Sequence, residues 1–306
     1  MTGGHTPVLV QEVLALLHPR PGGVYLDCTV GAGGHARAIL EAGAPSARLV
    51  GIDRDPEAIA SAREALEQFG ERVRLMQGDY RELSQLAAAV GLGQCDGIIC
   101  DLGVSSLQLG DPARGFSFST EGPLDMRMDR QGGARTARDL LHRLPEQELA
   151  WVIRTYGEER WARRIARRIV AARRHGSLET TRDLAAVVSG AIPRRYWPRR
   201  IHPATRTFQA LRIAVNEELD GLDDALEAAI RLLAPAGRIC VIAFHSLEDR
   251  VVKQLFRRLA APEGVPAVRV LTRRPITPSV EEIAGNPRAR SAKLRAAERE
   301  GNGHGG

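Results

Sequence analysis

From Tyr25 to His35 the chain reads Tyr-Leu-Asp-Cys-Thr-Val-Gly-Ala-Gly-Gly-His, an apolar run that ends in an acid and passes into three glycines. No other stretch constrains the fold as much. The apolar run reads as a buried strand. Glycines at 31, 33 and 34 open backbone angles closed to other residues and let the main chain approach a ligand with no Cβ between them. Residues 36–40 read as the start of a helix whose N-terminal amides face the same crevice. Such a strand–loop–helix delivers a nucleotide-like cofactor to the backbone, but the glycine pattern alone leaves a dinucleotide, a mononucleotide and S-adenosylmethionine open.

Strand patterns recur at 24–28, 49–53, 73–77, 97–101 and 238–244, with amphipathic helices at 55–69 and 81–90. This βαβ rhythm predicts an α/β fold with a mainly parallel sheet and helices on both faces. Between 110 and 204 the rhythm stops, and helical patterns appear at 145–156, 158–174 and 181–192. So long an interval does not suit a surface loop, so we expect an inserted helical subdomain. The predicted organisation is a discontinuous sheet domain, 1–109 and 205–306, interrupted by the insertion 110–204. A long helix over 205–233, bent near Gly221 and Asp223, is predicted to lead back to the sheet. The segment from Thr277, rich in Pro, Arg, Ala and Gly, reads as weakly structured, and 301–306 as disordered.

With 306 residues, 43% of them hydrophobic, the chain can hold one sizeable α/β domain and a smaller one. No apolar run reaches the ~18 residues of a membrane span, and no basic-then-apolar leader is visible, so a cytoplasmic protein is expected. Cys28, Cys95, Cys100 and Cys240 lack metal-knuckle spacing, and we read them as buried thiols with no metal or disulfide role. The net charge of +6 is almost entirely arginine on its basic side, Lys253 and Lys293 being the only lysines. That balance suits a polyanionic partner.

Asp53 closes the second strand, where a carboxylate can accept both hydroxyls of a ribose, while Asp55 before Pro56 is better placed to cap the next helix. Gly78-Asp79-Tyr80 follows the third strand and Asp101 ends the fourth, so four strand ends offer polar or aromatic groups to one edge. A dinucleotide fingerprint would carry glycine where His35 stands. Asp27 also suits a cationic amino-acid group better than a phosphate. Both points favour S-adenosylmethionine over a nicotinamide.

Nine ordered motifs carry a closer likeness: His5-Thr6-Pro7-Val8-Leu9, Gly31-Ala32-Gly33-Gly34-His35, Asp101-Leu102-Gly103-Val104-Ser105-Ser106, Arg114-Gly115-Phe116-Ser117-Phe118, Pro123-Leu124-Asp125-Met126-Arg127-Met128, Tyr156-Gly157-Glu158-Glu159, His202-Pro203-Ala204-Thr205-Arg206-Thr207-Phe208-Gln209, Phe244-His245-Ser246-Leu247-Glu248-Asp249-Arg250 and Asn286-Pro287-Arg288-Ala289-Arg290-Ser291. From His5 to about Glu298 the chain resembles the MraW (RsmH) family. The resemblance implies a class I S-adenosylmethionine-dependent methyltransferase fold, Rossmann-like, and methylation of N4 of a cytosine in the decoding region of bacterial 16S rRNA, within the small ribosomal subunit. It implies cofactor contacts at Gly33, Gly34 and His35, Asp53 on the ribose, Tyr80 against the adenine, Asp101 near the methionine end and Gln108 beyond it. It also implies that the segment from His5 to Leu9 folds over the crevice.

A cytosine amino group is a poor nucleophile, so the enzyme must hold N4 in line with the methyl and offer acceptors for its hydrogens. Asp101, with the carbonyls of Leu102 or Gly103, is the candidate catalytic group. DNA amino-methyltransferases carry an aromatic just after this position. Here the sequence continues Leu-Gly-Val-Ser-Ser, so Phe116 or Phe118 is expected to stack the base, with a purely structural role as the alternative. His245 and Ser246 are candidates for the same pocket; His245 either relays the departing proton or bonds a neighbouring loop. Arg163, Arg164, Arg167 and Arg168 share a helical face and are read as phosphate contacts rather than ordinary solvated surface. The cluster Arg194, Arg195, Tyr196, Trp197, Arg199 and Arg200 either stacks an unpaired base or anchors the subdomain. Two readings compete with the rRNA enzyme: a DNA or protein methyltransferase on the same fold, and a noncatalytic ribosome-assembly factor.

Overall fold

Asp55 accepts a hydrogen bond from Glu57 N with Pro56 at the first helical position, so the second βα turn closes as its sequence dictates. The same alternation runs through the first part of the chain. The computed structural model describes residues 7–261 and 268–301. In chain order the elements are α1 (Val10–Leu17), β1 (Val24–Asp27), α2 (Gly34–Ala42), β2 (Arg48–Asp53), α3 (Pro56–Leu66), β3 (Val73–Gln77), α4 (Leu83–Ala89), β4 (Cys95–Asp101), α5 (Ser106–Gly110), α6 (Ala137–Arg143), α7 (Glu146–Gly157), α8 (Ala162–Arg174), α9 (Thr181–Ala191), α10 (Thr205–Asn216), α11 (Leu222–Leu232), β5 (Leu233–Ala243), α12 (Ser246–Leu259), β6 (Val268–Val270), α13 (Val280–Gly285) and β7 (Lys293–Arg299).

Two compact units result, Met1–Gly103 with Gly221–Gly306, and Val104–Asp220. The first holds a seven-stranded sheet in the order β3-β2-β1-β4-β5-β7-β6. β3, β2, β1, β4 and β5 run parallel, and β7 lies antiparallel between β5 and β6. From β1 the chain winds outward through β2 to β3, then restarts on the other side with β4. The strand order therefore switches direction between β1 and β4, and that is where an open α/β sheet leaves a crevice at its carboxyl edge.

Two expectations need correction here. The sequence pattern joins 205–233 into one helix, but Glu217 and Gly221 both take left-handed backbone angles, φ 53° and 68°, which end α10 and start α11. α10 thereby belongs to the second unit. The segment after Thr277 is not weakly structured: it supplies α13 and the sheet strand β7. β7 is hidden in the sequence by its charges, which the fold pairs. Arg295 meets Asp249 at 2.7 Å, and Glu298 meets Arg238 at 2.8 Å and Arg269 at 2.7 Å.

The second unit packs α6 to α10 around a core that includes Leu141, Leu149, Ile165, Ile169, Leu184 and Leu211. Its long connection before α6 is a packed structure. Arg114 is 2% exposed and donates to the carbonyls of Arg127 (3.2 Å) and Met128 (2.6 Å). Met126 is held at φ 63° because Asn216 brackets it, donating from Nδ2 to Met126 O at 2.7 Å and accepting from Met128 N at 2.8 Å. Replacing Asn216 with Ala would leave these buried backbone groups unpaired, at about 1–3 kcal/mol each. Asn216→Ala is expected to lower stability by on the order of 3 kcal/mol, measured as a fall in urea midpoint. A midpoint within experimental error of the parent would mean that the loop does not depend on this bridge.

Candidate active site

Every strand end that faces the crevice carries a polar group, and backbone geometry decides how each is held. After β1, Gly31 and Gly33 take φ 53° and 84°, which turn the loop and start α2. A side chain on Gly34 would press on the Pro7 ring, so the segment at Pro7 lies directly against the loop. His5 and Thr6, expected to extend this cover, lie outside the described residues. Leu9, at φ 56°, donates its N–H to Glu282 Oε1 of α13 at 2.7 Å, which ties the start of the chain to its C-terminal part.

Asp53 uses both carboxylate oxygens on the loops, Oδ2 accepting from Gly31 N and Oδ1 from Asp55 N, each at 2.9 Å. A carboxylate offers about four lone-pair sites, so capacity for ribose hydroxyls remains. Asp27, 1% exposed, accepts from Thr29 N at 3.1 Å. Thr29 Oγ1 in turn accepts from Asp101 N at 2.6 Å and ties the end of β4 to the glycine loop. His35, 6% exposed, points Nε2 to within 3.6 Å of Asp101 Oδ2, an ion-pair distance too long for a hydrogen bond. Among the described residues neither ring nitrogen of His35 has a hydrogen-bond partner, and neither has Asp101 Oδ1, although all three atoms are buried. Buried polar atoms left unmatched are uncommon and point to a group the site is built to receive. Asp79 pairs with Arg81 at 2.7 Å and precedes the half-buried Tyr80.

Electrostatics follow from this crowding. Burial pushes the Asp27 carboxyl up to about 7, opposed by His35 and the Thr29 amide and reinforced by Asp101 and Asp53. Burial likewise raises Asp53 to about 6, against the amides of Asp55 and Gly31. For His35 burial disfavours the charged ring, but Asp101, Asp27 and Glu282 outweigh it and raise its pKa. The ligand-free site thus carries carboxylates that would ionise more readily beside a cation.

Several expected site residues do other work. Gln108 lies in the second unit, 4% exposed, where its Oε1 accepts from Ser105 N at 2.9 Å in a capping box for α5. Phe116 is withdrawn as a stacking ring: it is 7% exposed and belongs to the second unit's core. Phe118 packs on His202 and Phe208, with centroids 4.7 and 4.9 Å away, and takes the structural alternative too. His245 caps α12, its Nδ1 accepting from Glu248 N at 3.3 Å, as in the local-bonding alternative, while its buried Nε2 lies 3.1 Å from Glu248 Oε1 and makes no hydrogen bond among the described residues. Ser246 is the first residue of α12. Arg163, Arg164, Arg167 and Arg168 are all exposed on α8, and only Arg167 has an acidic partner among the described residues, Glu146 at 3.7 Å. Arg173 turns inward to the carbonyls of Leu141 and Leu144, at 2.8 and 2.7 Å. All four cysteines are free and buried. Thr29 and Glu282 escaped the sequence reading, because a threonine in a turn and a glutamate on a short helix carry no signal until the fold brings them to the loop.

A parallel sheet with this strand order, an antiparallel β7 and a glycine loop facing acids at the ends of β1, β2 and β4 defines a class I methyltransferase. The MraW methylase family matches residues 2–300, and the chain belongs to that family. It is similar to the ribosomal RNA small subunit methyltransferase H of Geobacter sulfurreducens, 55% identical over 98% of this chain and 100% of that protein. The proteins of the same name from Pelobacter propionicus and Anaeromyxobacter sp. (strain K) are 53% and 51% identical, over 96% of this chain and 98% and 97% of theirs. Among the described residues no helix is long and apolar enough to cross a membrane.

The raised carboxyls give a pH prediction. An acid whose folded pKa lies above its unfolded value of 3.8 contributes stability that is fully present below that value and lost as pH rises through the folded one, here from about 4 to about 7 for Asp27. Between pH 5 and 8 the ligand-free protein should lose about 2–3 kcal/mol on this account, two pKa units at 1.36 kcal/mol each. Asp27→Asn should remove that loss, which urea titrations at the two pH values would measure. An identical decline in both proteins would assign the pH dependence to other groups.

Proposed function

We propose that the protein transfers a methyl group from S-adenosylmethionine to N4 of a cytosine in the decoding region of 16S rRNA, acting on the small ribosomal subunit in the cytoplasm. The observation that carries this reading is the row of strand-end acids around a glycine loop, with buried atoms of His35 and Asp101 left without partners. Family membership and the relatives named as ribosomal RNA small subunit methyltransferases support the RNA substrate.

The residues present fit this cofactor. Gly33, Gly34 and the His35 amide offer a backbone cradle, Asp53 takes the ribose hydroxyls, the Tyr80 ring suits the adenine, and Asp27 faces the cationic amino-acid end. When bound, S-adenosylmethionine supplies a methyl carbon activated by its sulfonium. Asp101 accepts a hydrogen of N4, with the carbonyl of Leu102 or Gly103 as a second acceptor, and so aligns the nitrogen lone pair. The N–C bond would form as the S–CH3 bond breaks, its electron pair returning to sulfur as a neutral thioether that leaves, and the nitrogen would shed one proton, taken by Asp101 and passed to solvent. His35 places Nε2 3.6 Å from Asp101 Oδ2 and so lies beside the proposed acceptor. The exposed arginines of α8 supply cations for the RNA backbone.

Incubation of the protein with unmodified small subunits and labelled cofactor, followed by mass-spectrometric mapping, tests the reading directly. Label on DNA or protein and none on RNA would favour the alternative acceptors; no transfer to any acceptor would favour an assembly factor.

Asp53→Ala removes a charge-assisted acceptor worth roughly 1.5–3 kcal/mol and should weaken cofactor binding about ten- to a hundredfold by calorimetry. Unchanged affinity would take Asp53 out of the site. Asp101→Ala should instead depress the single-turnover rate far more than it depresses cofactor or RNA affinity, because its acceptor acts on charge that develops during transfer. Parallel losses of rate and binding would make Asp101 a ligand contact only.

A further inference from the structure

Beside α8 the second unit exposes a second group of cations, held by aromatic rings. The Arg160 guanidinium lies 4.8 Å from the centroid of Tyr196 and 5.3 Å from that of Trp161, and Arg195 also lies 4.8 Å from Tyr196. Tyr196 and Trp161 are themselves neighbours at 5.3 Å. Arg160 and Arg195 are exposed, Tyr196 is 42% exposed, and neither arginine has an acidic partner among the described residues. The base of the cluster is rigid. Trp197 Nε1 donates to Ile192 O at 2.9 Å and its ring packs on the core, while the Arg160 carbonyl accepts from Arg154 Nη2 at 3.0 Å.

A guanidinium stacked on a ring keeps its N–H edge free, and the stacking removes part of the side-chain entropy that phosphate binding would otherwise cost. Two guanidiniums at one tyrosine leave that ring poorly suited to receive a base. We propose that Arg160 and Arg195, stacked on Tyr196, form a preorganised clamp for the phosphodiester backbone of RNA. The clamp rests on the RNA reading given above and adds a site to it. Trp197 anchors this turn, whereas Tyr196 positions the charges.

Fluorescence anisotropy with a labelled 16S rRNA fragment over a range of KCl concentrations tests the clamp on the full chain. Arg160→Gln with Arg195→Gln should weaken binding at least tenfold and flatten the log–log salt slope by about 1.4, at roughly 0.7 for each single-strand phosphate contact. Tyr196→Ala keeps both charges and should weaken binding several-fold, and Tyr196→Phe should restore it, because the ring and not the hydroxyl is the platform. Calorimetric binding of S-adenosylmethionine should be unchanged in all three, which also reports that the chain is folded. Parental affinity and slope in the double arginine variant would overturn the clamp, and so would a large loss confined to Tyr196→Ala, the signature of base stacking. An unaltered chain with no salt-dependent affinity for RNA would overturn the RNA reading itself.

Discussion

Three carboxylates stand at the carboxyl ends of neighbouring strands, and the arrangement of the sheet unit depends on how their mutual repulsion is contained. Asp53 is met by the Gly31 and Asp55 amides, Asp27 by the Thr29 amide, and Asp101 by the His35 ring. Each of these partners belongs to a βα loop or a helix start, so containing the charge also sets the shape of the loops. Asp27 and Asp53 still hold their protons above the usual range, chiefly because they are buried, with neighbouring acids adding to the shift. A cation placed beside these carboxyls would favour their ionised form, so the site is electrostatically suited to receive positive charge.

The sheet was legible where strands are apolar on both faces, because a parallel strand covered by helices is a plain hydrophobic run. β1, β2, β4 and the second half of β5 announce themselves in this way, whereas β3, an edge strand with exposed Arg74 and Gln77, shows only as an alternating pattern. β7 does not: Lys293, Arg295, Glu298 and Arg299 give it the look of a solvated tail, and only the partners Asp249, Arg238 and Arg269 make it a strand. Counting strand ends placed Asp27, Asp53 and Asp101 along one edge, and the structure sets them at the ends of β1, β2 and β4. Roles that depend on side-chain packing were not legible. Phe116, Phe118 and His245 have the residue types of a substrate pocket, and the structure uses them to fill a core and to cap a helix.

The motifs that identify the family divide along the same line. In the sheet unit the glycine loop and Asp101 form the crevice, whereas His245 and Glu248 cap a helix and several motifs of the helical unit are packing devices. Arg114 neutralises loop carbonyls, Asn216 brackets Met126, and Gln209 donates to the Tyr156 carbonyl at 2.9 Å. A polar residue buried against backbone carbonyls specifies one loop conformation among many, since any other would leave those groups unpaired. The arginines on the surface of this unit contrast with these: those at 160 and 195 lie over an aromatic ring and are exposed.

The place of β7 bears on how a nascent chain acquires its structure. β6 leaves the ribosome first yet pairs only with β7, and the Leu9 amide waits for Glu282, so both ends of the sheet unit stay unfinished until nearly the last strand has been made. The helical unit, a single uninterrupted segment, is complete far earlier and can fold while synthesis continues. A translation product truncated after β5 would hold the acids and the glycine loop beneath a bare strand edge, which is a template for mispairing with other chains. The order of elements therefore makes the β7 edge of the sheet, and the tie from Leu9 to Glu282, late products of translation, and it exposes the sheet, more than the insertion, to the chaperones and proteases that meet incomplete chains.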